Sequence, residues 1–172
     1  MKKNWYAVYT KSHCEIKVAA LLTKKKIGNY CPLNRIVSYQ GNKKKIVLEP
    51  LFPSFVFVYA SDIEMPIIKQ TGSIVNFVFW LGKPVIIKDT EIENIRHFTN
   101  QHFNIKLEKA AVNSSGIVRI ISEAYTDINI NSVQNSNSRL LLPSLGYMMI
   151  NDAETSTIDV ASYGFDRNKM VS

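Results

Sequence analysis

Glu49-Pro50-Leu51-Phe52-Pro53-Ser54-Phe55-Val56-Phe57-Val58-Tyr59 is a nearly continuous apolar run entered through two prolines. In an extended strand Phe55, Phe57 and Tyr59 point one way, and Val56 and Val58 point the other. Both faces are apolar, so the strand is either covered on both sides or keeps one side for a partner. A lysine-rich hairpin precedes it. Gln40-Gly41-Asn42 turns the chain, and Lys43-Lys44-Lys45-Ile46-Val47-Leu48 returns it. An aromatic face beside a basic hairpin points to a protein that docks on another macromolecule next to nucleic acid.

The charge supports that reading. The 172 residues carry a net charge of +7, concentrated at one end. Residues 1–48 hold eleven Lys and Arg against one acidic residue, Glu15, a net +10. Residues 101–172 hold six basic against seven acidic residues, a net −1. So localised a positive field suits phosphate-rich partners.

Outward from the central strand, helices and strands alternate. Trp5-Tyr6-Ala7-Val8-Tyr9 reads as a strand. Ser12 with Glu15 reads as a capping box opening a helix whose apolar side is Cys14, Val18, Leu21 and Leu22. Lys24, Lys25 and Lys26 fill its last turn, and Gly28 marks its stop. Asp62 is expected to cap a short helix running to Lys69, residues 74–80 a strand, and Leu81-Gly82-Lys83-Pro84 a turn. Asp89 opens a helix with Ile92, Ile95 and Phe98 on its apolar side. The fold class is α+β: an antiparallel sheet with flanking helices, packed mainly on one face, over residues 1–100. Residues 101–115 read as a linker. Residues 116–172 read as a small β-barrel, with strands near 117–121, 138–142, 147–150 and 157–160 and an Asn/Ser-rich turn over 129–137.

Little points to chemistry. Cys14 and Cys31 form no CxxC pair and read as buried free thiols. His13, His97 and His102 lack metal-ligand spacing. No Ser/His/Asp set and no phosphate-cradling glycine loop is recognisable. The expectation is a non-enzyme without catalytic residues, metal or cofactor. No apolar run reaches the length of a membrane span, so a cytoplasmic protein is expected.

The residues resemble the NusG family of transcription elongation factors. The resemblance is carried by Trp5-Tyr6-Ala7-Val8-Tyr9, by Glu49-Pro50-Leu51-Phe52-Pro53-Ser54-Phe55-Val56-Phe57-Val58 and by Gly82-Lys83-Pro84-Val85, in order, over residues 4–98. The chain looks most like the specialised RfaH and UpxY types, antiterminators of long operons such as those for surface and capsular polysaccharides. The resemblance implies a NusG N-terminal-type domain followed by a KOW/SH3-like barrel. Gly116-Ile117-Val118-Arg119-Ile120 looks like the first KOW strand, but Glu123 and Asp127 replace the glycines that follow it in the family. It also implies a patch for the clamp helices of RNA polymerase at Tyr9, Phe52, Pro53, Phe55, Phe57 and Ile95. Contacts to non-template or upstream DNA would fall to Lys11, Lys17, Arg35, Lys43, Lys44, Lys45 and Thr71. Ser12, Cys14, Leu21 and Gly72 depart from the family's DNA-reading set. Met65-Pro66-Ile67 departs from its gate-loop motif. The barrel's partner would be a ribosomal protein or the termination factor Rho.

Two other readings compete. One is an RRM-like single-stranded RNA-binding protein stacking bases on Phe55, Phe57 and Tyr59. The other is a ribosome-associated adaptor that binds through residues 116–172.

Overall fold

A computed structural model describes residues 1–113, 117–120, 126–129 and 137–151. The strand expected over 157–160 and residues 130–136 of the expected turn lie outside them. Strand β1 (Asn4–Thr10) is central. It pairs antiparallel with β5 (Phe55–Ala60) on one side, and with β6 (Ile74–Phe77) and β9 (Ile86–Ile87) on the other. Strand β2 (Gly28–Tyr30) extends the sheet beyond β5. The register sets Tyr9 opposite Phe55, Ala7 opposite Phe57 and Trp5 opposite Tyr59. Alternation then sends Tyr6, Val8, Val56, Val58 and Ala60 to the far face.

Both faces are covered, by different helices. Helices α1 (Glu15–Lys24) and α2 (Glu64–Lys69) bury Val18, Leu22 and Ile68 against the valine face, with Ile27 and Phe77. Helix α3 (Asp89–Gln101) buries Ile92, Ile95 and Phe98 against the aromatic face. Two of the three helices thus share the valine face, and α3 covers the aromatic one. A strand apolar on both faces leaves a large area in water unless each face is packed.

Several local signals resolve differently from the sequence reading. Glu15 does not close a capping box with Ser12; Cys14 holds the N-cap without a side-chain bond. Helix α1 ends in a Schellman motif centred on Lys26, at φ 58°, where Lys26 N–H donates to Thr23 O and Ile27 N–H to Leu22 O. Gly28 serves close approach instead: a Cβ there would lie 3.1 Å from Cβ of Tyr59.

Asp62 does not cap α2. Glu64 accepts hydrogen bonds from the N–H and hydroxyl of Ser61, and its other oxygen pairs with Lys3 Nζ at 2.7 Å. Pro66 falls in the first turn, where its missing N–H costs nothing. The Lys3 bond first, then the Ser61 amide, holds the Glu64 carboxyl down at about 2. The folded value lies below the ordinary glutamate value of about 4.3. This tie is therefore fully present above that pH and is lost as pH falls toward 2. Side-chain NMR titration is expected to give a Glu64 midpoint near 2, and Lys3→Ala is expected to raise it.

A two-stranded ribbon, β3 (Leu33–Gln40) with β4 (Lys43–Pro50), leaves the main sheet. A second hairpin joins β7 (Phe79–Trp80) to β8 (Lys83–Pro84), where the sequence suggested only a turn. Leu81 and Gly82 both take positive φ, 48° and 76°, as a tight primed turn requires.

Residues 105–112, expected in a linker, form strand β10 (Ile105–Val112). It joins a second antiparallel sheet in the order β12 (Thr126–Asn129), β11 (Ile117–Ile120), β10, β14 (Tyr147–Asn151), β13 (Arg139–Leu142). In β10, β14 and β13 the registers bring Leu107, Leu140 and Met149 to one face, with Ile105, Leu142 and Tyr147. That face turns to the first sheet. Ile105, Leu142 and Met149 share one core with Phe52, Phe57, Ile92, Ile95 and Phe98.

Candidate functional site

The corner between β4 and β5 sets the geometry of the aromatic face. Leu51 N–H donates to Pro32 O, and Phe55 N–H to Phe52 O. Ser54 adopts φ 63°, and its carbonyl accepts from Thr10 N–H at 2.8 Å. Its N–H donates to the buried Glu15 carboxylate at 2.6 Å. Glu15 thus ties the start of α1 to the corner that aims Phe52, Pro53 and Phe55.

The six residues of the expected patch separate into two groups. Phe52, Phe57 and Ile95 are buried core. Phe52 packs edge-on to Phe57 at 5.2 Å and to Tyr147 at 6.2 Å. Pro53 is exposed, Tyr9 is 41% exposed, and half-buried Phe55 packs against Tyr9 with ring centres 4.7 Å apart and planes inclined by 45°. The row proposed for base stacking is broken in the same way: Phe57 is closed off, while Tyr59 packs on Trp5.

A mainly apolar cavity of about 680 Å³ remains over this surface. Tyr9, Phe52 and Phe55 form its floor, Phe79 and Pro84 of the β7–β8 hairpin one wall, and the turn from Pro143 to Tyr147 the other. The hairpin wall was missed at the sequence level; Trp80-Leu81-Gly82-Lys83, with Gly at the second turn position, was the signal for it.

The turn wall is held by a polar clamp. The buried Glu91 carboxylate, at N3 of α3, accepts from Ser144 N–H at 3.0 Å and, in a short bond, from the Ser144 hydroxyl. It also accepts from Lys88 N–H at the N-cap of α3. Farther along the seam, Asn151 Nδ2 lies 2.9 Å from His102 Nδ1, and the Asn34 amide pairs with both backbone groups of Ile105. The second sheet therefore covers the deep half of the expected patch and leaves the rim open.

The basic residues also divide. Lys11, Lys17, Lys43, Lys44 and Lys45 are exposed. Arg35 is not free for phosphate. Its Nη2 donates to the carbonyls of Thr99, Asn100 and His102, and its guanidinium lies 4.0 Å over the Phe103 ring. It caps the C-terminus of α3, where a cation complements the helix dipole. Thr71 is buried; its hydroxyl donates to Ile67 O and accepts from Lys25 Nζ.

Cys14 and Cys31 are half-buried free thiols. Burial, with Glu15 nearby, pushes the Cys31 thiol up to about 11, away from thiolate chemistry. Among the described residues no cluster of His, Cys, Asp and Glu could hold a metal ion, and no helix is long and apolar enough to cross a membrane. The described residues thus present a mainly apolar cavity and, on the β3–β4 ribbon, a set of exposed lysines.

A family described as "Transcription termination factor nusG" matches residues 3–96, more than half of the chain. The transcription termination/antitermination protein NusG of Bacillus subtilis (strain 168) is 32% identical over 109 residues. That match spans 55% of this chain and 62% of the relative. A solved structure described as "Domain interaction in Thermotoga maritima NusG" aligns with a TM-score of 0.45 and 19% identity, over 76% of this chain and 95% of that one.

Proposed function

This chain belongs to the NusG family, and from that premise we propose that it is an elongation factor that suppresses pausing by RNA polymerase and promotes read-through of a long operon. The observation that carries the reading is the apolar cavity lined by Tyr9, Phe52 and Phe55, in a chain that also carries an exposed lysine ribbon. A groove of this kind receives the apolar side chains of a partner helix, here the polymerase clamp helices. Lys11, Lys17 and Lys43–Lys45 would then face upstream or non-template DNA and add affinity without sequence choice. The factor works by holding polymerase in one conformation, with no covalent step.

The second sheet gives this action a control. Its turn at Pro143-Ser144-Leu145-Gly146 walls the cavity that the clamp helices would enter, so full binding would need that turn to move. A second sheet released from the patch would be free to meet a partner of its own, a ribosomal protein or Rho. Such conditional binding suits a specialised paralog serving dedicated genes, for example those for surface polysaccharide, in the cytoplasm.

The test is transcription in vitro on a template with a strong pause, using purified polymerase. The protein is expected to shorten the dwell at the pause. An unchanged dwell, with the protein shown to be bound to the elongation complex, would contradict the reading.

A further inference from the structure

Helix α3 is fastened to the second sheet at both ends, by unlike contacts. At its N-terminal end Glu91 holds Ser144 through one backbone N–H and one hydroxyl. At its C-terminal end His102 Nδ1 lies 2.9 Å from Asn151 Nδ2, and three residues, His102 to Asn104, carry the chain into β10. The 13 residues of α3 hold these ends about 20 Å apart, at 1.5 Å per residue.

The second sheet lies along that span. Ile105 pairs with Asn151, and Lys109 with Tyr147. The turn that walls the cavity leaves from Leu142 and Tyr147, which pair with each other. It therefore sits at the end of β14 away from Ile105, about 14 Å along the strand at 3.4 Å per residue.

The end at Ile105 is pinned. The buried Asn34 amide bridges both backbone groups of Ile105, at 2.7 Å and 3.0 Å. Asn104 N–H donates to Arg35 O, and Val37 N–H donates to Asn104 Oδ1. Arg35 in turn holds the last carbonyls of α3 and covers the Phe103 ring. Losing one partner leaves a buried donor or acceptor unsatisfied, so these bonds hold as a unit. The end at the turn is held by a single half-buried serine and by the edge contact of Tyr147 on Phe52.

We propose that the second sheet opens as a hinged flap. The Glu91–Ser144 latch gives way at the N-terminal end of α3, while the corner of Asn34, Asn104 and Ile105 stays closed at the other. The inference rests on the reading that the turn yields to the clamp helices, and it specifies how. Opening parts Tyr147 from Phe52 and uncovers the deep half of the patch, yet the sheet never leaves. It recloses by an intramolecular step when the partner departs, at the high effective concentration that a short tether imposes.

The experiment is pulsed electron–electron resonance on the 172-residue chain. Nitroxides are carried by a ketone-bearing residue, which leaves Cys14 and Cys31 untouched. One pair, at the exposed positions Thr90 and Lys109, spans the latch; a second, at Asn100 and Asn137, spans the hinge. With Ser144→Asp and no polymerase, the latch distance is expected to lengthen by about 10 Å, the diameter of a helix. The hinge distance is expected to stay as in the wild type, and the amides of Val37, Asn104 and Ile105 to keep their protection from hydrogen exchange. The wild type saturated with an isolated clamp-helix fragment is expected to give the same pattern, so the result does not depend on one variant folding. Lengthening at both pairs, or lost protection at those three amides, overturns the proposal, because the sheet then departs whole. No lengthening at either pair also overturns it, because Ser144 and Glu91 are then not the latch. A hinge seen with Ser144→Asp, in a protein whose wild type does not bind the fragment, removes the clamp-helix reading and leaves the hinge standing.

Discussion

Tyr9→Ala combined with Phe55→Ala is expected to weaken binding of the polymerase clamp helices by about 100-fold or more, with the protein still folded. Both side chains line the floor of the cavity where it is still accessible, and their rings pack against each other at 4.7 Å. Aromatic anchors at the centre of an interface typically carry about 2 kcal/mol or more each, and about 1.4 kcal/mol is a tenfold change. Truncating them removes the contact without opening the core, because neither is fully buried. Phe57→Ala should behave differently. That ring is buried among Phe52, Ile92 and Ile95, and its loss is expected to cost about 3–5 kcal/mol of stability. Thermal melts of both variants, with calorimetric titration of an isolated clamp-helix hairpin, separate the two effects. Full-strength binding by the folded double variant would remove this surface from the account.

The division between rim and core could be read from the sequence only in part. Alternation in Phe55-Val56-Phe57-Val58 identified two apolar faces, and the spacing of Ile92, Ile95 and Phe98 identified the side of α3 that packs. Those signals are local and periodic. Phe52, expected in the binding patch, is buried. Its cover includes Tyr147, which lies 95 positions later, where no local period reaches. Glu15 fits a capping box as well as it fits its real role, because both need an acceptor at the start of α1. Only the fold brings Ser54 N–H to it. Arg35 looked like one more phosphate ligand in a basic stretch; the carbonyls at the end of α3 claimed it first. Strand β10 was hidden for a related reason. Lys106, Glu108 and Lys109 blur its alternation, and its pairing partner β14 begins only at Tyr147.

The clamp between Glu91 and Ser144 leads to the second large effect. Ser144→Asp places a carboxylate against the buried carboxylate of Glu91, where repulsion replaces the hydroxyl's hydrogen bond and opposes the one from the amide. The turn is then expected to leave the cavity, and binding of the clamp helices to tighten by about tenfold or more as the competent population rises. Ser144→Ala removes only the hydroxyl donor and leaves the amide, so its effect should be smaller and in the same direction. Neither change touches Lys88 N–H or the packing of Ile92 and Ile95, so α3 keeps its cap and its buried side. A variant that bound more weakly, with an unchanged melt, would mean that the turn helps to build the binding surface.

Amide hydrogen exchange on the 172-residue chain, free and saturated with a clamp-helix fragment, reads the seam itself. Residues 142–147 are expected to lose protection in the complex while the corner at Phe52–Phe55 keeps or gains it. A complex that forms with residues 142–147 as protected as in the free protein would contradict the claim that the second sheet and polymerase share one site.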